Sequence, residues 1–249
     1  MPEEIITTKD TQRKKYVLKK RPVIKTDYKV NYEEDLNEAQ LEAVKSKDGP
    51  ILVIAGAGSG KTKTLTYRVA RLIEDGIKPE NILLLTFTKK AAAEMLSRAT
   101  IVLDNRCEKV AGGTFHSFAN IILRKYSKLL GLKNNFTIMD RADCEDVINH
   151  IVGQLFPKKE KRFPKKSTLL DIYSKSINKV TPTKQIIADE FPQFAHCEDK
   201  IIEVHKAYVA YKRENSVLDY DDLLLYIKLL LENNDGLRKR LSNEYKYIM

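Results

Sequence analysis

The sequence has few of the residues that build disulfide scaffolds, zinc sites or membrane anchors. Among 249 residues there are three cysteines and four histidines. Cys107, Cys144 and Cys197 are too few and too far apart for a disulfide framework or a zinc cluster, and the histidines lack metal-ligand spacing. No apolar run approaches the roughly 20 residues of a membrane span, and the N-terminus lacks the pattern of a secretion signal. We therefore expect a cytoplasmic protein without membrane contact.

Acidic residues are also in deficit, with 34 Asp and Glu against 44 Lys and Arg, a formal net charge of +10. The excess lies in two segments, residues 1–30 with net charge +5 and residues 151–185 with net charge +7. Two basic segments on a nearly neutral remainder favour contact with the phosphate backbone of a nucleic acid. Charge alone leaves open the alternative that they are a solvated tail and a solvated loop.

The most specific pattern is a glycine-rich turn between two apolar segments. Residues 51–54 are Ile-Leu-Val-Ile, and a helical pattern follows the turn from Gly60 to Glu74. This order predicts a buried strand, a phosphate-binding loop and a helix. Small residues let backbone N–H groups face a polyphosphate, Lys61 reaches the β and γ phosphates, and the Thr62 hydroxyl ligates Mg²⁺. The candidate nucleotide-binding residues of the loop are Ala55, Gly56, Ala57, Gly58, Ser59, Gly60, Lys61 and Thr62.

A short helix is expected before the first strand, with Asn37 as its N-cap. Strand and helix patterns then alternate up to about residue 130. The unbroken apolar run of residues 81–86 predicts a second strand that is buried on both faces, and a short third strand is expected near residues 109–111. Helices are predicted after them, over residues 90–104 and 117–130. Alternation of this kind is typical of the α/β class with a parallel sheet.

Helical patterns dominate after Gly131, with Asp140 as an expected N-cap. Residues 157–166 are expected to form an exposed basic loop, and residues 245–249 look like the start of a buried strand. Four divisions follow from these patterns, a flexible basic extension (1–30), the first part of the α/β core (31–130), an all-α insertion subdomain (131–215) and a return to the core (216–249).

Several separated segments together resemble the superfamily 1 DNA helicases of the UvrD/Rep/PcrA type, over about residues 36–249. Residues 36–40 are similar to the Q motif of that family, in which the glutamine, here Gln40, reads adenine. The family's phosphate loop often begins with alanine, as at Ala55, and Lys63 stands where these helicases commonly carry arginine. The resemblance implies an ATP site on a RecA-like P-loop NTPase sheet. Gln40, the loop and Lys63 would bind the nucleotide, Lys61 and Thr62 would act in catalysis, and Thr62 would hold Mg²⁺.

Two further segments resemble the DNA-contacting motifs Ia and Ib of the same helicases. Residues 86–95 are similar to motif Ia, with Lys89 where the family usually has asparagine, and residues 113–118 are similar to motif Ib. Without the resemblance, Phe87 reads as a core residue and His116 as a structural histidine. The residues that the resemblance implies for binding single-stranded DNA are Thr86, Phe87, Thr88, Thr114, Phe115 and His116.

A nucleotide-hydrolysing site also needs acidic residues for Mg²⁺ and for the attacking water. Asp221 and Asp222 are the candidates after apolar residues, but the leucines that follow predict that they cap a helix. In the helicase family that the chain resembles, the strand that corresponds to residues 245–249 leads into an Asp-Glu motif, and a second motor domain follows. We therefore expect an N-terminal part of a longer 3′-to-5′ helicase that acts on single-stranded DNA and on single-strand/duplex junctions, and we expect this part to be inactive alone. A non-catalytic DNA- or nucleotide-binding module and an unrelated P-loop kinase are the alternatives.

Overall fold

A computed structural model describes residues 28–133, 135–157 and 162–249 of the chain. Most of the predicted extension and four residues of the predicted basic loop lie outside the described residues. The helices and strands in chain order are α1 (Tyr32–Asp35), α2 (Glu38–Lys45), α3 (Lys61–Glu74), β1 (Ile82–Thr86), α4 (Lys89–Val102), β2 (Ala111–Thr114), α5 (Phe115–Tyr126), β3 (Thr137–Ile138), α6 (Arg141–Leu155), α7 (Lys166–Asn178), α8 (Thr183–Glu190), α9 (Glu198–Asn215), β4 (Val217–Leu218), α10 (Tyr220–Asn233), α11 (Asp235–Glu244) and β5 (Tyr247–Ile248).

The main sheet is parallel and has the strand order β2-β1-β5. Its central strand is the apolar run that the sequence predicts, and Ile82, Leu83 and Leu84 are buried. The register pairs Thr86 with Thr114, so β1 and β2 end side by side. Because the strands are parallel, the residues that follow them meet at one edge of the sheet. The α/β class with a parallel sheet is thereby confirmed.

The apolar segment Ile51–Ile54 is not a strand, and the prediction of a strand there is wrong. Leu52 and Ile54 are 86% and 90% exposed, and the segment joins neither sheet of the described residues. It runs beside β5, where residues of both segments line a cavity of about 370 Å³. Since β5 has two residues, its free edge offers too short a ladder to hold the segment as a further strand.

Buried apolar side chains in the described residues fall into clusters in different parts of the fold. One cluster contains Leu72 and Ile82 and lies between the sheet and α2, α3 and α4. A second contains Ile148 and Leu169 and lies among helices α6 to α9. A third contains Leu123 and joins α5 to α10 and α11. The second cluster gives helices α6 to α9 a core of their own.

A two-residue strand, β3, precedes helix α6 and pairs in parallel with β4. The expected N-cap is present, because the Asp140 side chain accepts the N–H of Asp143 and the Asp143 side chain accepts that of Asp140. Mutual capping of this kind satisfies two helix N–H groups that otherwise lack partners.

A buried ionic cluster lies where α9 passes into α10. Lys212 Nζ is 2.6 Å from Asp219 and 2.7 Å from Asp222, and Tyr208 donates to Asp219 at 3.0 Å. Burial alone would lower the pKa of Lys212, but the two carboxylates outweigh it and raise that pKa. The cap of α10 is formed by Asp219 and Asp222. Asp221, expected to cap, instead accepts a hydrogen bond from Asn178.

Candidate functional site

The glycine-rich loop turns between residue 55 and the start of α3, and two glycines make the turn possible. Gly58 and Gly60 have φ angles of +75° and +85°, a region that side chains with a Cβ rarely adopt. Ser59 closes the turn, because its N–H and hydroxyl both donate to the Gly56 carbonyl, at 3.4 and 2.8 Å. A Cβ on Gly60 would also lie 2.7 Å from Nε2 of Gln40. The backbone conformation therefore requires glycine at position 60, and a Cβ there would in addition make the end of the Gln40 side chain move.

Lys61, the first residue of α3, folds back across the loop. Its amine donates to the carbonyls of Ala55 and Gly56, at 3.0 and 2.6 Å. Lys61 and most residues of the loop are exposed. An ammonium group at the mouth of an exposed glycine turn, next to the N-terminus of a 14-residue helix, suits a polyphosphate. The loop thus fits the nucleotide that the sequence predicts.

Thr62 lies in the first turn of α3 and is partly exposed. Within the part of the chain that the structure describes, no three His, Cys, Asp or Glu side chains gather as a metal site. Mg²⁺ usually binds through one or two protein oxygens together with phosphates and water. The residues present therefore fit a metal ion that arrives with the nucleotide, for which Thr62 can supply one oxygen.

Gln40 connects helix α2 to the loop. Its Nε2 donates to the Ser59 carbonyl at 3.0 Å, and its Oε1 accepts the Asn37 N–H at 3.3 Å. The Asn37 side chain in turn accepts the Gln40 N–H at 2.9 Å, which completes a capping box and confirms the predicted N-cap. The structure thus brings Gln40 to the phosphate loop.

Lys63 follows a different course from Lys61. Its amine donates to the carbonyl of Asp35 and lies 5.5 Å from the centre of the Tyr67 ring. The lysine predicted to bind nucleotide is therefore bound to the segment that precedes α2.

The carboxyl ends of β1 and β2 carry a second group of predicted site residues, which we call the strand-end group: Thr86, Phe87, Thr88, Thr114, Phe115 and His116. Phe87 directly follows β1 and is 93% exposed, and its ring centre is 6.0 Å from that of Phe115, which is 44% exposed. The apolar stretch around it favours a core position for Phe87, but the structure places its ring in solvent. Exposed neighbouring rings of this kind can stack on the bases of a single strand.

The threonines of this edge hold the backbone in place. Thr88 caps α4, because its hydroxyl accepts the Ala91 N–H at 3.1 Å, and Thr86 donates to the Thr88 carbonyl at 2.8 Å. Thr114 caps α5 in a capping box with Ser117. Thr86 and Thr114 are nearly buried, so their side chains orient the backbone at this edge of the sheet. The side chains of Phe87 and Phe115 form the exposed surface of the edge.

The sequence matches the family model of the UvrD/REP helicase N-terminal domain over residues 36–249. The chain belongs to this family. The ATP-dependent DNA helicase PcrA of Bacillus subtilis is 37% identical over 218 residues, which are 86% of this chain and 28% of that protein. The ATP-dependent DNA helicases PcrA of Staphylococcus aureus and Leuconostoc citreum are each 32% identical over 215 residues and 86% of this chain. The chain spans less than a third of the length of these relatives.

One aromatic neighbour of the strand-end group in this UvrD/REP helicase domain was not predicted from the sequence. Tyr220, the first residue of α10, is 54% exposed, and the His116 ring meets it edge-on with ring centres 5.7 Å apart. The sequence around Tyr220 predicts only a helix start with a structural role. An aromatic residue directly after a capping aspartate and a short strand was the available signal.

None of the helices in the described ranges has the length and apolar character needed to cross a lipid bilayer. Family membership leaves no support for the alternative of an unrelated P-loop kinase.

Proposed function

We propose that this UvrD/REP helicase domain is the ATP-binding part of a DNA motor of the cytoplasm. The contact between Gln40 and Ser59 carries the proposal, because it joins a side chain suited to adenine to a loop suited to phosphates. An amide can donate and accept at once, as the N6/N7 edge of adenine requires. A nucleotide with its adenine at Gln40 and its phosphates at the glycine-rich loop would contact both helix α2 and the loop.

In the proposed site the loop from Ala55 to Gly60 holds the triphosphate through its backbone N–H groups. Lys61 exchanges its two carbonyl partners for phosphate oxygens and stabilises the charge on the transferred phosphoryl group. Thr62 holds Mg²⁺, which supplies charge neutralisation when it is bound. Gln40 selects adenine. Lys63 contacts the nucleotide only after its amine gives up the hydrogen bond to the Asp35 carbonyl.

The strand-end group is proposed to bind single-stranded DNA. Phe87 and Phe115 present the exposed rings on which bases stack, while His116 and Tyr220 form a neighbouring aromatic pair. Thr86, Thr88 and Thr114 position this edge. Motion from 3′ to 5′ and action at single-strand/duplex junctions are part of the proposal by analogy with the family, with the basic segment of residues 157–166 on the duplex side.

By analogy with the family, the complete motor is proposed to use a second motor domain and a catalytic Asp-Glu pair. ATP binding and hydrolysis would then close and open the cleft between the two domains. The 249-residue chain by itself is proposed to bind nucleotide and DNA weakly and to hydrolyse very little ATP.

The nucleotide site is tested by titrating the purified chain with a fluorescent ATP analogue and Mg²⁺. Lys61→Ala should weaken binding by at least about tenfold, because it removes a charge-assisted contact to phosphate. Lys239→Ala, at an exposed position on α11, is the matched control and should bind as the wild type does. Equal affinities of all three proteins would contradict the proposed site.

A parallel titration with a labelled oligonucleotide separates the catalytic and non-catalytic proposals. DNA binding that weakens with salt, without ATP hydrolysis, is expected for this chain. Robust ATP turnover that Lys61→Ala abolishes would contradict the proposal that the site needs acidic residues from elsewhere.

A further inference from the structure

Residues 28–35, which we call the strap, precede the family-matched region and still belong to the core. Val30 and Tyr32 are 7% and 3% exposed and lie in the same cluster as the buried residues of α3. The family match begins only at residue 36. The strap therefore adds two buried residues to the core, although it lies outside the helicase domain as the family defines it.

Arg71 of α3 fixes the first residue of the strap. Its guanidinium lies 3.8 Å from the centre of the Tyr28 ring and donates to the Tyr28 hydroxyl at 2.6 Å. The Tyr28 hydroxyl donates to Asp75 at 2.8 Å, and Arg71 is also 3.0 Å from Asp75. These three side chains close a ring of hydrogen bonds at the end of α3. A largely desolvated network of this kind costs more to break than isolated surface pairs.

The middle of the strap is bound to the same helix by a second residue. Glu74 accepts the Tyr32 hydroxyl at 2.5 Å and the Lys29 N–H at 2.6 Å. The Tyr32 ring also meets the Tyr67 ring edge-on, with centres 6.2 Å apart. Burial, followed by the hydrogen bond to Glu74, raises the pKa of the Tyr32 hydroxyl far above its usual range, so this hydroxyl remains a donor.

The last residue of the strap reaches the other end of α3. The carbonyl of Asp35 accepts the amine of Lys63, two residues after Lys61. Directly beyond Asp35 the chain passes through Leu36 into the capping box that holds Gln40. The strap thus contacts α3 from its first turn to its C-cap and then leads into the helix that carries Gln40.

We propose that the strap is a positioning element of the nucleotide site, which sets α2 against α3 and so holds Gln40 at the phosphate loop. This inference rests on the proposed function, because it assigns a consequence to the Gln40 contact. It concerns residues that act through Gln40 and that touch no nucleotide themselves. Loosening the strap should therefore change base selectivity more than phosphate binding.

Tyr28→Phe and Arg71→Met in the full 249-residue chain test the proposal. Tyr28→Phe removes two hydrogen bonds and keeps the ring, so it is expected to fold even if the arginine variant does not. Arg98→Met is the matched control, because Arg98 forms a similar i,i+4 pair with Glu94 on α4 but is 54% exposed. The readouts are amide hydrogen exchange without nucleotide and the ratio of the dissociation constants for fluorescent GTP and ATP analogues.

Tyr28→Phe and Arg71→Met should both accelerate exchange in α2 and in α3 by about tenfold, and not only in residues 28–35. They should also lower the preference for adenine by at least about threefold, while Arg98→Met changes neither readout. Faster exchange confined to the strap, or an unchanged adenine preference, would overturn the proposal. If the wild type binds neither analogue, the proposed function fails, and exchange in α2 and α3 alone decides whether the strap positions them.

Discussion

The Gln40 amide donates to the Ser59 carbonyl at 3.0 Å while its oxygen accepts the Asn37 N–H at 3.3 Å. One side chain therefore fixes the start of α2 and links that helix to the phosphate loop. Its donor and its acceptor perform different tasks, so substitutions can separate them.

Gln40→Glu keeps the acceptor of the capping box and removes the donor to Ser59. We expect a small change in the free energy of unfolding and a clear loss of affinity for an adenine nucleotide. Gln40→Ala removes both side-chain contacts and should in addition cost about 0.5–1.5 kcal/mol of stability, the usual net contribution of a hydrogen bond, while Asn37 still accepts the N–H of residue 40. Urea unfolding and nucleotide titration of both variants measure the two effects. An equal loss of stability in both would show that the contact with Ser59, and not the cap, stabilises the helix.

Phe87→Ala should weaken binding of a single-stranded oligonucleotide by about 1–3 kcal/mol, the usual contribution of one stacked base. The ring is 93% exposed, so its removal should leave the free energy of unfolding unchanged. Ile101→Ala is the control, because Ile101 is 81% exposed and lies at the far end of α4 from the strand-end group. Equal DNA affinity of both variants in a fluorescence titration would exclude Phe87 from the DNA surface.

Lys212→Met should destabilise the fold by about 3–5 kcal/mol, because it leaves two buried carboxylates without their shared cation. Lys166→Met removes a comparably short pair with Asp146, 2.7 Å, but there the lysine side chain is 41% exposed and the aspartate 76%. That control should cost less than about 1 kcal/mol. Denaturant unfolding of both variants tests whether burial sets the difference.

His205 should make stability depend on pH. Its ring stacks on Tyr173 at 4.3 Å, and Nδ1 contacts the Thr183 hydroxyl at 3.0 Å. Burial, helped by the positive charge of Lys212, lowers the pKa of His205 from 6.5 to about 4. Between these values the unfolded chain binds more protons than the folded one, so the free energy of unfolding should fall as the pH drops through this window.

The His205 contribution should amount to at most about 2 kcal/mol, since the side chain is only partly shielded from water. In His205→Phe, which keeps a ring against Tyr173, the slope between pH 6.5 and 4 should become flatter. His150→Phe, at an exposed position on α6, should retain the slope of the wild type. Urea unfolding at several pH values provides the measurement, and an unchanged slope in His205→Phe would assign the effect to other groups.

Motifs with their own local chemistry could be predicted from the sequence. The glycine turn, the cap at Asn37, the cap at Asp140 and the strand at residues 82–86 depend on backbone rules that neighbouring residues satisfy. Each is present in the structure near its predicted position. The parallel sheet could be predicted because strand and helix patterns alternate along the sequence.

Features that depend on distant partners could not be predicted in this way. The apolar residues 51–54 predict burial in a sheet, but a strand also needs a long enough neighbour, and β5 has two residues. The sequence predicts a flexible basic extension over residues 1–30, and it does not predict that Tyr28 and Val30, which are among the described residues, pack on α3. The side chains of Tyr28 and Tyr32 bind this segment to the end of α3, and a count of charges does not reveal these contacts. The pairing of His116 with Tyr220 joins residues about a hundred positions apart, which a local pattern does not specify.

The adjacent ends of β1 and β2 have an electrostatic consequence. Helices α4 and α5 both begin at that edge, so the positive ends of two helix dipoles lie side by side there. The first turn of α4 carries Lys89 and Lys90, at positions where acidic residues would normally offset the partial positive charge of the helix N-terminus. This edge therefore concentrates positive potential from the backbone as well as from side chains. A phosphodiester chain passing along it would neutralise both sources at once.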